Sequence, residues 1–417
     1  MNPGLLVKLR PSSPWRIGPS TGDRGHVDLI LHSDTLFSAV THAMSLLGQL
    51  DAWLDATARN AQGSSVAFTS LFPFTGDVRY FVPPRTVWPP APSAKVRWKG
   101  ARFVPQGVVE AVLQGRALNE DRWSVDGESE CLVASGRVAP FRIARRSAAA
   151  VDRLTGAQSE PHQSACLEFT AGSGLWCAVS FADATAREQW NEPVRAAFRL
   201  LADSGIGGER SRGWGRSEAP EFRDGTLPGL VFSAAGDAKD AEQFWMLSLF
   251  APQAAEAVDW TRGNYQVLER SGRVDSRSNS GAQKKTAALV SEGSVLVSAG
   301  QPTGAARDVA PDGHPHPVYQ AGFAFAIAIP AVRQRVSQPA AVEDAVTNAP
   351  QAEEFMPNPE TDFPLPENLP EDPDLMPGEQ DPVPVEAPRD EPHGEPENEP
   401  HYNDPEPSEP TPGIEEP

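Results

Sequence analysis

The chain has 417 residues, with 56 acidic against 36 basic side chains and a net charge of −20. The charge is uneven: residues 341–417 hold 23 of the acids, a single base, Arg389, and 19 of the 42 prolines. The other 340 residues are close to neutral, so the acidic total does not exclude a nucleic-acid partner for them. Residues 331–417 bury too little apolar surface to offset their chain entropy, and a disordered acidic Pro-rich tail is expected there. The cysteines, Cys131, Cys166 and Cys177, form no C-x-x-C pair, which argues against a disulfide framework and a zinc site. There is no apolar h-region at the start and no run long enough to span a bilayer, so a cytoplasmic protein without a membrane partner is expected.

In chain order, residues 4–10 predict a first strand through Leu5, Leu6, Val7 and Leu9. Residues 11–25 are rich in Pro, Ser and Gly and read as a loop. An apolar stretch over 27–31 leads into His32-Ser33-Asp34-Thr35. Ser33 or Asp34 can cap a helix whose buried stripe is Leu36, Phe37, Val40, Met44 and Leu47. Residues 67–74 predict a strand ending at Pro73, and 80–85 are held extended by their prolines. Residues 86–160 read as an insertion of hairpin character. It carries the basic-aromatic run 95–103 and the cluster Arg142, Arg145 and Arg146.

A strand over 175–181 follows, then a helix with Trp190, Val194, Ala197, Phe198 and Leu201 at helical spacing, its start suited by Asn191 and Pro193. After a glycine-rich loop, 217–222 reads as a strand. The order β, α, β, insertion, β, α, β is that of a ferredoxin-like unit with elaborations. Strand candidates at 243–250, 265–270, 294–298 and 321–329 suggest a second, smaller α+β domain. The expected domains are 1–235, with the insertion at about 86–160, then 236–330, then the tail 331–417.

The loop over 204–216 concentrates five glycines (Gly205, Gly207, Gly208, Gly213, Gly215) with Arg210, Ser211, Arg212, Trp214 and Arg216. Glycine admits positive φ and close backbone approach, and successive amides in such a turn form an anion-binding concavity. Arginine adds forked donors that match phosphate, and tryptophan a face on which a base stacks. The combination suits a single nucleic-acid strand. It is not a P-loop, since no lysine follows the glycines. It is not a dinucleotide fingerprint either, since Arg210 stands where the last glycine belongs and a helix precedes the loop. A plain turn with solvated arginines is the blander reading.

None of the histidines belongs to H-E-x-x-H, and there is no G-x-S-x-G elbow. His314-Pro315-His316 reads as a solvated loop pair rather than a metal site, and no cofactor or metal is expected. His32 suits either a general base of ribonuclease-type chemistry or an RNA-contacting residue, and the second is preferred. Arg270, Arg273, Arg277, Lys284 and Lys285 read equally as a solvated loop or as a groove tracking a nucleic-acid backbone.

These segments together resemble one family. His32-Ser33-Asp34-Thr35-Leu36-Phe37-Ser38-Ala39 resembles the H-S-D-T-L-F-x-A opening of the fourth Csm subunit of type III-A CRISPR effector complexes. Phe81-Val82-Pro83-Pro84 is similar to its F-L-P-x-P segment, and Val151-Asp152-Arg153-Leu154-Thr155-Gly156 to I-D-R-x-T-G. Residues 205–216 resemble the signature loop of RAMP proteins. Gly272-Arg273, Lys284-Lys285 and Glu292-Gly293-Ser294 resemble the late basic segment and E-G-S motif, and Gly322-Phe323-Ala324-Phe325 the closing strand. The likeness covers about 1–330 and leaves out the tail.

It implies an α+β fold of two ferredoxin-like (RRM/RAMP) domains with insertions, and no catalytic activity in this subunit. It implies a partner crRNA whose 5′ repeat-derived handle is capped. It also implies contacts with the large Palm-domain subunit and a backbone RAMP subunit, and with target RNA indirectly. The implied RNA-binding set is His32, Ser33, Asp34, Thr35, Arg153, the loop residues from Gly205 to Arg216, Arg273, Lys284 and Lys285. Arg145 and Arg146 join it from the insertion, which supplies a thumb-like hairpin. Two alternatives stay open: a RAMP-fold endoribonuclease that processes precursor guide RNA, and the handle-capping subunit of a type III-B complex.

Overall fold

The computed structural model describes residues 2–19, 22–149, 154, 162–232, 241–274 and 281–330. These belong to one unit, Met1–Ser337; the tail, like Arg153 and Arg277, lies outside the described residues. The chain opens with β1 (Pro3–Leu9), followed by α1 (Ser33–Leu46) and α2 (Leu50–Ala56). Then come β2 (Val66–Phe68), β3 (Phe72–Thr75) and β4 (Val78–Phe81). The insertion holds β5 (Val104–Pro105), α3 (Gln106–Leu113), a hairpin of β6 (Trp123–Val125) and β7 (Leu132–Ala134), and a longer hairpin of β8 (Phe141–Ala148) and β9 (His162–Phe169). β10 (Ser173–Phe181), α4 (Ala184–Ser204) and β11 (Glu221–Thr226) follow.

Seven of these strands form one sheet, in the order β11-β1-β10-β3-β4-β5, with β2 also pairing β10. The pairs are antiparallel. β10 is buried along nearly its whole length, as a near-continuous apolar run in a covered strand should be. α1 and α4 pack together on the sheet, and Trp53 of α2 meets Trp190 of α4 edge to face at 5.3 Å. α4 starts at Ala184, earlier than Asn191: the Asp183 side chain accepts from the Ala186 amide at 2.8 Å and caps it. Pro193 therefore sits inside the helix, where it removes one backbone hydrogen bond. The buried stripe from Trp190 to Leu201 offsets that loss.

Other sequence expectations shift in the same way. The strand read over 67–74 is two strands, β2 and β3, broken at residues 69–71, and Pro73 lies within β3. The last strand of the first half starts at Glu221, not at 217. The insertion contains a helix, α3, that its irregular sequence did not show. α1 begins after His32 without a side-chain cap from Ser33 or Asp34; instead Ser70 Oγ accepts from the Ser33 amide at 2.8 Å. Leu47 falls outside the buried stripe and is exposed.

The rest of the described chain is β12 (Gln243–Met246), β13 (Val258–Asn264), β14 (Val267–Arg270), β15 (Ala287–Val290), β16 (Val295–Ser298), β17 (Gly304–Asp308), β18 (Tyr319–Phe323) and β19 (Ala326–Ile329). β12, β13, β16 and β19 form a four-stranded sheet in the order β13-β16-β12-β19, while β14–β15 and β17–β18 are hairpins between them. Among the described residues this half has no helix. Numbered in their own chain order, its sheet strands lie fourth-first-third-second. The first half repeats that order, with β2 and β3 sharing the second place. The chain is an α+β protein. No helix among the described residues is long and apolar enough to cross a membrane.

Residues 15–17, inside the stretch read as loop, are buried in the core. Trp15 is fully buried, pairs with Leu167 of β9 through its backbone, and donates its indole N–H to Arg216 O at 3.1 Å. Arg16 is buried as well, its guanidinium spent on the carbonyls of Asp23, Arg24 and Ala165 at 2.6, 3.1 and 2.8 Å. Trp15→Ala should lower the unfolding free energy by about 3–5 kcal/mol. Urea denaturation of the full chain measures this, and a change within about 0.5 kcal/mol, typical of a surface site, would show that the segment is peripheral.

Candidate nucleic-acid interface

The glycine loop leaves α4 at Gly205, whose φ of +88° turns the chain out of the helix. Gly207 and Gly215 also have positive φ, at +93° and +81°. A Cβ on Gly205, Gly207 or Gly215 would collide with the backbone oxygens of Trp214, Arg16 and Ile206 respectively. These glycines are therefore required by the loop's packing against its own chain. Gly208 has no positive φ and faces only the flexible Arg16 side chain, so the two adjacent glycines are not equivalent.

The amides of the loop are mostly committed. Ile206 N donates to Gly215 O at 3.0 Å, Gly208 N to Arg16 O at 2.8 Å, Gly213 N to Arg210 O at 2.9 Å and Gly215 N to Pro14 O at 2.8 Å. The expected row of exposed amides is thus largely consumed inside the protein, and the outward chemistry passes to side chains. Arg210, Ser211, Arg212 and Arg216 are exposed and Trp214 is half-buried.

Beside the loop stands the β8–β9 hairpin. Arg142 and Arg146 both hold Glu168, Arg142 at 2.9 Å, and these hydrogen bonds keep its carboxyl below the ordinary range. Arg145 is exposed on the same strand. A cleft of about 400 Å³ lies between hairpin and loop, lined among others by Ser13, Arg146, Ser164, Arg212 and Trp214. The structure therefore brings Arg146, Arg212, Gly213 and Trp214 together.

His32, Ser33 and Asp34 are elsewhere and buried. They join the two halves of the described chain. His32 Nδ1 lies 2.8 Å from Glu292 Oε1, which also accepts from Ser70 Oγ. Ser33 Oγ accepts from the Leu249 amide at 2.9 Å. Asp34 accepts from Arg270 Nε at 3.0 Å and from Gln320 Nε2 at 2.9 Å, while Arg270 also donates to Thr35 Oγ1 at 2.9 Å. Burial alone would raise both carboxyls. The charge and hydrogen bonds of Arg270 outweigh it at Asp34, as those of His32 do at Glu292, and both are held low. Arg270, read as a loop or groove cation, is thus a buried partner of Asp34. A small cavity of about 40 Å³ lined by His32, Thr35, Gly207 and Arg270 brings this joint up to the glycine loop.

Arg273, Lys284 and Lys285 line neither cavity. Arg273 donates to Gly281 O at 2.8 Å, and Lys285 pairs with Asp312 at 2.7 Å. Sequence reasoning missed Trp15, Arg16 and Gln320, which carry no local motif. Glu292 was visible only as part of the E-G-S resemblance. No group of three metal-ligating side chains occurs among the described residues.

Residues 239–329 match the family model of the CRISPR Csm4 C-terminal domain. No curated protein matches the sequence significantly. Among solved structures, a chain of a Csm3–Csm4 subcomplex of the type III-A CRISPR-Cas interference complex is 14% identical, with a TM-score of 0.52 over 78% of this chain and 99% of that one. A chain of a Csm1–Csm4 cassette in complex with cA4 is 20% identical, with a TM-score of 0.49 over 79% and 98%. The family match is confined to residues 239–329, and the chain of the Csm3–Csm4 subcomplex shares the fold. The match to the CRISPR Csm4 C-terminal domain bears out, over residues 239–329, the resemblance to the fourth Csm subunit.

The joint has a pH signature. Carboxyls whose folded values lie below their unfolded ones bind protons less readily in the folded state. Their stabilisation is complete above the ordinary carboxylate range and is lost as pH falls through it. Stability should therefore drop between about pH 5 and pH 3. At neutral pH, Asp34→Ala should cost about 3–5 kcal/mol by leaving Arg270 buried without its partner. Urea titrations across this range measure both, and wild type and variant of equal stability at neutral pH would refute the joint.

Proposed function

We propose that this chain is the non-catalytic RNA-binding subunit of a type III-A CRISPR (Csm) effector complex. In that role it caps the 5′ repeat-derived handle of the crRNA and bridges the large Palm-domain subunit to the backbone filament. The observation that carries the reading is the Csm4 C-terminal domain at 239–329, tied by the buried joint to a first half whose glycine loop and β8–β9 hairpin present arginines beside a tryptophan. Guanidiniums and an aromatic face suit a single strand held by its backbone and its unstacked bases.

The repeated strand order supports two ferredoxin-like RAMP domains, the second with hairpins in place of helices. The Csm3–Csm4 subcomplex, one chain of which shares this fold, supports a backbone RAMP subunit as one neighbour. The Palm-domain subunit is the other neighbour that the sequence resemblance implies, and a cytoplasmic location accords with this role. His32 is buried and held by Glu292, an arrangement that suits anchoring better than proton transfer.

The test is a gel shift of the full chain assembled with its partner subunits, using guide RNAs that carry or lack the repeat-derived 5′ segment. Guides with the segment should bind more tightly. Arg212→Ala with Arg216→Ala should weaken that binding and flatten its salt dependence. Equal affinity for both guides would refute handle capping. Metal-independent cleavage of repeat RNA, abolished by His32→Ala, would refute the non-catalytic assignment.

A further inference from the structure

The cleft between the glycine loop and the β8–β9 hairpin has properties that backbone contact alone does not explain. Its volume of about 400 Å³ lies within the range of small-molecule sites, room for one nucleotide unit. Its walls differ in chemistry. One carries Trp214 and Arg212, the latter placed by Glu209 at 3.2 Å and by His162 Nε2 at 3.3 Å. The other carries Arg146 and, directly across the ladder from it, Ser164. Directly paired residues share a face of the hairpin, so both side chains line the same wall.

Ser164 is the informative residue. It is 2% exposed, and its Oγ has no hydrogen-bond partner. Buried polar atoms are seldom left so, and each calls for an explanation. Ser13, on the same cleft, differs: its hydroxyl accepts from the Arg216 amide at 2.9 Å. A serine hydroxyl turns readily and both donates and accepts, so it can meet either kind of base edge.

We propose that this cleft receives one unstacked nucleotide of the bound RNA. Its base lies against Trp214, its phosphate lies between Arg146 and Arg212, and the Ser164 hydroxyl reads the base edge. Ser164 is then a specificity-determining residue, and the cleft singles out one position of a strand otherwise held by its backbone. This rests on the RNA-binding role proposed above.

The experiment uses the full chain with its partner subunits and a series of guide RNAs in which each successive 5′ nucleotide in turn is abasic. The wild-type protein should lose on the order of tenfold in affinity at one position and far less at its neighbours. Trp214→Ala should erase that one dependence, and Trp214→Phe should keep most of it. Ser164→Ala should leave stacking intact but level the preference among the four bases at that position. Thermal melts of each variant separate these effects from unfolding, and the abasic series in wild type needs no variant. Tight binding with no single sensitive position would overturn the nucleotide site while leaving handle capping in place. Intact RNA binding by Trp214→Ala with lost subunit assembly would overturn it in favour of a protein occupant. Guides bound equally with and without the handle would remove the reading beneath it.

Discussion

The Asp34–Arg270 pair, with its neighbour His32–Glu292, is the contact on which the arrangement of the described chain depends. Each pair joins the start of α1 to a residue more than two hundred positions later. Taking such groups from water is costly, and a buried ion pair is weak evidence for net stability. Here both carboxylates are partnered: Asp34 by Arg270, Gln320 and the Thr35 amide, Glu292 by His32 and Ser70. The consequence is geometric. Forked, charge-assisted hydrogen bonds tolerate little displacement. The four-residue motif therefore fixes where β14 and the turn before β16 sit against α1.

The same joint explains how the glycine loop is placed. Gly207 lines the small cavity with His32, Thr35 and Arg270, and its neighbour Gly208 hydrogen-bonds to Arg16. Arg16 in turn fastens the connection after β1 to β9 through Ala165 O. The loop is thus wedged between the joint on one side and the hairpin cleft on the other. Its glycines serve this close packing, and the proposed recognition is left to the side chains that the packed backbone holds outward.

Much of the fold was legible where a local pattern sets the outcome. The stripe of α1 and the long apolar run of β10 follow from period and burial. The legible part of the site was the set of residues whose type fits one chemistry, such as Arg212 and Trp214. What escaped depends on partners distant in sequence. Ser33 and Asp34 looked like helix caps because serine and aspartate usually are. Ser70 takes that place, and Asp34 serves Arg270 instead. Trp15 lay in a stretch with loop composition, and only its pairing with Leu167 makes it core. Pro193 looked like a helix start, but the Asp183 cap lies nearly three turns earlier and the helix runs through the proline. The resemblance supplied the motifs without saying which of them face inward.

That distinction changes how the positive charge should be counted. A tally of arginines from the sequence treats each as a phosphate ligand. In the structure Arg16 is spent on carbonyls and Arg270 on Asp34. Arg142 and Arg146 share Glu168, and Arg212 has Glu209. A cation already paired gives up a carboxylate contact when it takes a phosphate, so its net gain is smaller than a count suggests. Salt dependence follows the phosphates actually neutralised. On the RNA-binding role proposed above, a protein that commits so much of its charge internally draws discrimination from shape and stacking as well. The half-buried Trp214, seated on the packed glycine loop, is placed to supply that part.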